Sequence, residues 1–158
     1  MWLKLDLDGI NFQMKIRGYS LATKETSWDE QWCTVEYAFM GHGINYICDG
    51  DDILLVCEIE EIVSYLDDLL HDKIKEVYTI ECIEPDFKFM LIPKTDMSNI
   101  RMELKPYFFN GYLTNNYLSL SFDRQNILCF RYYLLYVMKK LKEDDLIIQD
   151  MLKEGVLY

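Results

Sequence analysis

Between residues 2 and 17, apolar and polar side chains change places at every step, with a single interruption. Leu3, Leu5 and Leu7 alternate with Trp2, Lys4 and Asp6. Ile10, Phe12, Met14 and Ile16 alternate with Asn11, Gln13, Lys15 and Arg17. The interruption is Asp8-Gly9. Side chains of an extended chain point to opposite faces in turn, so this pattern makes half-buried strand and does not suit the 3.6-residue period of a helix. Asp-Gly accepts the positive φ angles of a tight turn, so the stretch predicts a β-hairpin with one core face and one polar face. Residues 18–29 are polar and mixed and read as a loop. Alternation resumes from Gln31 to Met40, with Cys33, Val35, Tyr37 and Phe39 on one face and Trp32, Thr34 and Glu36 on the other. Gly41-His42-Gly43 predicts the next turn, residues 44–48 its second strand, and Ile53 to Val56 a short extended piece.

The period then changes. Ile59, Ile62, Val63, Leu66, Leu69 and Leu70 fall at helical spacing and predict a helix over residues 58–71. Its opposite face carries Glu58, Glu60, Glu61, Asp67 and Asp68, and acids in the first turn suit the positive end of the helix dipole. Strands are predicted at 77–82 and 87–93 around the turn Glu84-Pro85-Asp86, at 100–105, and at 117–122. A long helix over 124–142 follows, with a stripe of Ile127, Phe130, Leu134, Val137, Met138 and Leu141, widened by Tyr132, Tyr133, Leu135 and Tyr136. A short helix is expected in the tail at 144–153. The order of elements predicts an α+β fold: a mainly antiparallel β-sheet with one mid-chain helix and a long C-terminal helix packed on it. No repeat, low-complexity segment or linker divides residues 1–158, so one domain is expected, and a chain of this size can bury a substantial core.

The apolar runs are short and interrupted, so no membrane-spanning helix is expected. The first residues lack the charged head and apolar stretch of a secretion signal, which places the chain in the cytoplasm. Cys33, Cys48, Cys57, Cys82 and Cys129 are scattered and odd in number, and read as reduced, mostly buried residues. With 27 acidic against 16 basic residues the net charge is −11. A chain so acidic repels nucleic acid and is drawn to basic surfaces.

Signatures of catalysis are few. No glycine-rich phosphate loop, G-x-S-x-G elbow or H-E-x-x-H occurs. His42 sits in a predicted turn and His71 at a helix end, and both read as surface residues. Asp49, Asp51 and Asp52 form a tight cluster, but a calcium loop begun at Asp49 would place Ile53 and Leu54 where an oxygen ligand and a glycine are needed. No cofactor or metal site is expected. Whether the carboxylates form an acid/base pair or a two-metal site depends on separations that spacing leaves open.

Charge distribution carries more. The 48 residues from Glu25 to Asp72 contain thirteen acids and no lysine or arginine. All sixteen basic residues lie outside. Such a block repels itself, and is either a solvated surface or a docking face for a basic partner. Trp2 and Trp32 fall opposite the apolar faces of their strands. Either a loop such as 18–29 folds back to cover both, or Trp28 or Trp32, in S-W-D-E-Q-W, anchors a partner beside the block.

Four features in this order resemble a known family. They are Arg17-Gly18-Tyr19 followed by W-D-x-x-W at Trp28 to Trp32, the helix E-I-E-E-I-V-S-Y-L-D-D-L-L, the segment I-E-P-D-F-K-F from Ile83 to Phe89, and a closing amphipathic helix. The chain resembles the small immunity proteins of the WapI type. The resemblance implies a cytoplasmic antidote to a bacterial contact-dependent toxin, which binds the toxin's C-terminal domain, often a nuclease, and blocks it without catalysis. The binding residues expected on this reading are Asp49, Asp51, Asp52, Glu60, Glu61, Asp67 and Asp68, with Trp28 and Trp32 as aromatic anchors. Two other readings stay open. One is a regulatory or scaffolding homodimer built on the apolar last helix, and the other is a carboxylate- or metal-dependent enzyme. Sequence leaves the oligomeric state undetermined.

Overall fold

The computed structural model describes residues 1–20, 31–95, 98–106 and 118–158. Strands β1 (Leu3–Leu7), β2 (Ile10–Arg17), β3 (Trp32–Gly41) and β4 (Ile44–Leu55) form an antiparallel sheet in the order β1-β2-β3-β4. Helix α1 (Val56–Leu70) leads to a second antiparallel sheet of β5 (Tyr78–Glu81), β6 (Phe87–Ile92), β7 (Arg101–Pro106) and β8 (Leu120–Phe122), also in sequential order. Helices α2 (Arg124–Val137) and α3 (Leu146–Lys153) follow. The class is α+β as expected. The single sheet becomes two four-stranded sheets, the long last helix is shorter than expected, and the short helix expected in the tail is α3.

The first hairpin is as its alternation requires. Leu3 faces Met14, Leu5 faces Phe12, and Leu7 faces Ile10, so every apolar residue shares one face. Asp8 (φ 55°) and Gly9 (φ 84°) make the turn, and the Asp6 carboxylate accepts the Gly9 N–H at 2.8 Å. In the next pair Phe12 faces Phe39 and Met14 faces Tyr37. His42 (φ 49°) and Gly43 (φ 80°) turn the third hairpin, and His42 Nε2 lies 2.9 Å from the Asp8 carbonyl, so the two turns rest on each other.

Strand β4 departs from expectation. Instead of a strand at 44–48 and a separate extended piece from Ile53, it is continuous over twelve residues. Its pairing with β3 shifts between Cys33 and Thr34 and between Val35 and Tyr37. Each shift inserts an extra residue, so alternation breaks while pairing continues. Gly50 (φ 115°) lies in one insertion, and Ile53 to Leu55 emerge from the other all buried.

Helix α1 buries its predicted stripe, with Ile59, Ile62, Leu66 and Leu69 wholly inaccessible. Helix α2 begins at Asp123, whose carboxylate accepts the Asn126 N–H at 2.8 Å. It stops at Val137, short of the predicted residue 142. Lys139 takes a left-handed conformation (φ 59°), and Lys140 N–H bonds back to the Leu135 carbonyl. That geometry usually uses glycine, which is why the sequence hides the end of the helix.

One apolar cluster runs through both sheets and the helices. Phe12 of β2 meets Phe122 of β8 edge-on at 5.8 Å, and Tyr37 of β3 meets Phe87 of β6 at 4.9 Å. Phe130 of α2 packs against Phe89 and Phe122. Buried Tyr133 of α2 accepts the Ile16 N–H on its hydroxyl at 2.8 Å, beyond the end of the β1 pairing. Tyr133→Phe would leave that N–H without its acceptor and is expected to cost about 1–2 kcal/mol. Urea denaturation checks this, and a loss below about 0.5 kcal/mol would mean that the bond does not cap the strand.

Candidate functional site

The acidic block divides into three parts. Asp49, Asp51 and Asp52 are exposed along β4. The Asp52 carboxylate accepts the Thr34 hydroxyl at 3.0 Å, and Asp51 accepts the Asp52 N–H at 2.9 Å. The β5–β6 turn comes to them from the second sheet. Asp86 is half-buried, and its carboxyl is held above the usual range, first by burial and then by the charges of Asp51 and Glu84. Both Glu84 and Asp86 were read from sequence only as turn residues. No local spacing places residue 86 beside residue 51, because the approach is made by packing of two sheets. Tyr37 lies beneath this corner. Its buried phenol is held above the usual range, first by burial and then by the Tyr46 hydroxyl, with the Asp86 carboxylate a smaller influence.

The second part is the start of α1. Glu58 was expected on the solvent face, but its side chain is buried. One carboxylate oxygen accepts the Leu55 N–H at 2.8 Å and the other accepts the Ile83 N–H at 2.6 Å. It caps its own helix and holds the β5–β6 turn. Glu60 is exposed and accepts the Tyr19 hydroxyl at 3.1 Å. The Tyr19 phenol is pushed up to about 12 by burial and by this bond. Arg17, two residues earlier, pairs with Glu36. Glu61 is exposed and forms no ion pair among the described residues.

The third part is the end of α1, where the charges are used internally. Asp67 pairs with Arg131 of α2, and Asp68 accepts Lys73 at 2.8 Å. The expected acids therefore do not form one uniform face. Asp49, Asp51, Asp52, Glu60 and Glu61 are exposed, while Asp67 and Asp68 carry cations of this same chain.

Of the tryptophans, Trp32 is half-buried at the start of β3, in register with Leu55. Trp28 lies outside the described residues, as does most of the loop expected to cover it. Trp2 packs against the end of the chain: it stacks on Tyr158 at 6.4 Å and donates its backbone N–H to the Tyr158 carbonyl.

A cavity of about 450 Å³ is lined by Ile16, Tyr19, Tyr133, Tyr136, Val137 and Lys139 among others, and by none of the acids named from sequence. Among the described residues no three His, Cys, Asp or Glu side chains gather as metal ligands would. All five cysteines are free. Burial pushes the Cys33 and Cys82 thiols up to about 12 and raises Cys48 and Cys129, which keeps these four protonated at neutral pH. No helix among the described residues is long and apolar enough to cross a membrane.

The described residues form a small α+β fold with exposed acids along β4 and α1. The chain belongs to the immunity protein WapI-like family, whose sequence model matches residues 3–141. Immunity proteins as a class neutralise a cognate toxin protein by binding it and are generally not enzymes. No curated protein matches the chain.

Proposed function

We propose that this protein neutralises its toxin by covering a basic surface of the toxin's C-terminal domain with an acidic face, without chemistry of its own. The observation that carries this reading is the corner where Asp51, Glu84 and Asp86 approach one another from two sheets. Like charges held together destabilise the free protein, and a cation placed among them relieves the repulsion. Asp49 and Asp52 extend the corner along β4, and Glu60 and Glu61 continue it onto α1. Trp32, half-buried beside this face, and Trp28 are the aromatic anchors of this reading. Asp67 and Asp68 join it only where the toxin competes with Arg131 and Lys73. A nuclease, whose cleft is basic in order to hold phosphate, is the target this charge fits best. Residues 1–158 act as one domain in this reading, supported by the single core cluster, and the free cysteines suit action in the cytoplasm.

The test is co-expression with the C-terminal domain of the toxin encoded beside this gene, followed by binding kinetics at several salt concentrations. Protection is expected. Asp49→Asn, Asp51→Asn and Asp52→Asn together are expected to slow association by about tenfold and to flatten its salt dependence, with little change in the unfolding midpoint. Cells that die although the protein is abundant would remove the proposal.

A further inference from the structure

Alongside α1 the acidic surface is interrupted by apolar side chains. Val77 (58% exposed), Tyr78 (39%) and Ile83 (58%) stand at the two ends of β5, the edge strand of the second sheet. Tyr65 of α1 lies against Tyr78, with ring centroids 4.4 Å apart, planes at 27°, and hydroxyls 2.6 Å apart. A stacked pair closed by its own hydrogen bond is ordered before any partner arrives, which lowers the entropy lost on binding. Glu61 and Asp68 lie four residues before and three after Tyr65, on the same side of the helix. Their charges act on the Tyr65 hydroxyl, which is pushed up to about 12 chiefly by its bond to Tyr78. Glu61 also acts on Cys82, next to Ile83, and so joins the pair to the Glu84–Asp86 corner.

We infer that the Tyr65–Tyr78 pair is a further anchor of the docking face, beside the tryptophans, and that the exposed Tyr78 ring receives an arginine or lysine side chain of the toxin, with Glu61 nearby. This rests on the proposed function above. An aromatic face attracts a cation through its quadrupole, and a flat guanidinium can stack while its N–H groups reach a carboxylate. Val77, next to Tyr78 in the chain and exposed, adds apolar surface at this end of β5. Charge decides the occupant. A second copy of this chain carries the same net charge of −11 and is repelled, whereas a basic toxin is drawn in.

The experiment titrates the purified C-terminal domain of the toxin encoded beside the gene against wild-type protein and four variants. Tyr78→Ala and Val77→Lys are each expected to weaken binding by about tenfold or more. Tyr78→Phe keeps the ring and is expected to stay within about threefold. Leu146→Ala, at an 82% exposed position on α3, is expected to change nothing. Thermal melts accompany each variant. Should Tyr78→Ala unfold, the exposed Val77→Lys decides. If wild type binds and the deciding variants stay within about twofold, the anchor is overturned while the proposed function stands. If wild type does not bind, the proposed function fails and the anchor with it.

Discussion

Gly41→Ala is expected to cost about 3 kcal/mol or more and to leave little folded protein at physiological temperature. Two effects add. At φ 145° the backbone adopts a conformation that L side chains rarely take. A Cβ there would also stand 2.3 Å from the Gly9 carbonyl oxygen and 3.1 Å from the Ile10 Cα. Both contacts are backbone, in the turn of the first hairpin, so relief requires the two turns to separate. That in turn disturbs the His42 contact with Asp8 and the adjoining pairs Phe12–Phe39 and Asn11–Met40. Gly43 supplies the comparison. Its φ is 80°, but nothing lies within 4 Å of the added Cβ, so Gly43→Ala is expected to cost only about 1 kcal/mol. Urea denaturation of both variants measures the difference. Equal losses would show that conformational strain, rather than the contact between turns, sets the requirement for glycine.

Glu58→Ala is expected to cost about 2–3 kcal/mol, against a few tenths for an ordinary exposed acid on the same helix. The carboxylate accepts two backbone N–H groups from segments 28 residues apart in sequence, Leu55 and Ile83. Charge-assisted bonds of this kind are stronger than neutral ones, and the Leu55 N–H is enclosed by buried surroundings. Removing the acceptor leaves an unpaired donor at the first turn of α1 and releases the β5–β6 turn from the helix. Glu58→Gln keeps one acceptor oxygen and is expected to lose about half as much. Amide hydrogen exchange provides a local readout: the Ile83 amide should exchange faster in Glu58→Ala before global unfolding does so. Unchanged exchange at Ile83 together with unchanged stability would refute the bridging role. Because this turn carries Glu84 and Asp86, Glu58 also positions the acidic corner without contacting a partner itself.

Much of the fold was legible because its signals are local. Alternation with Asp-Gly fixed the first hairpin and its register, and the spacing of Ile59 to Leu70 defined α1 within two residues at its start. The apolar stripe from Ile127 placed the start of α2 at residue 124, where the structure has it. Illegible features depended on distant packing or on unusual residues in special conformations. Bulges in β4 broke the period that marks a strand. Lys139 ended α2 where a glycine would have announced it. Glu58 looked like one more solvent-facing acid, since nothing nearby in sequence indicates that the Ile83 N–H will reach it.

The candidate site divides along the same line. One-signed charge from Glu25 to Asp72 and the WapI-type motifs are properties of the chain itself, and they were sufficient to indicate an acidic protein of the immunity class. Which acids remain free was decided in three dimensions. Arg131 reaches Asp67 across 64 residues, Glu58 turns inward, and Asp86 arrives beside Asp51 from the other sheet. Sequence period and turn chemistry determine strands, helices and total charge because each depends on neighbours a few residues away. Pairing of charges and exposure of aromatic rings depend on which faces the two sheets and the helices present to one another, and only tertiary packing chooses that.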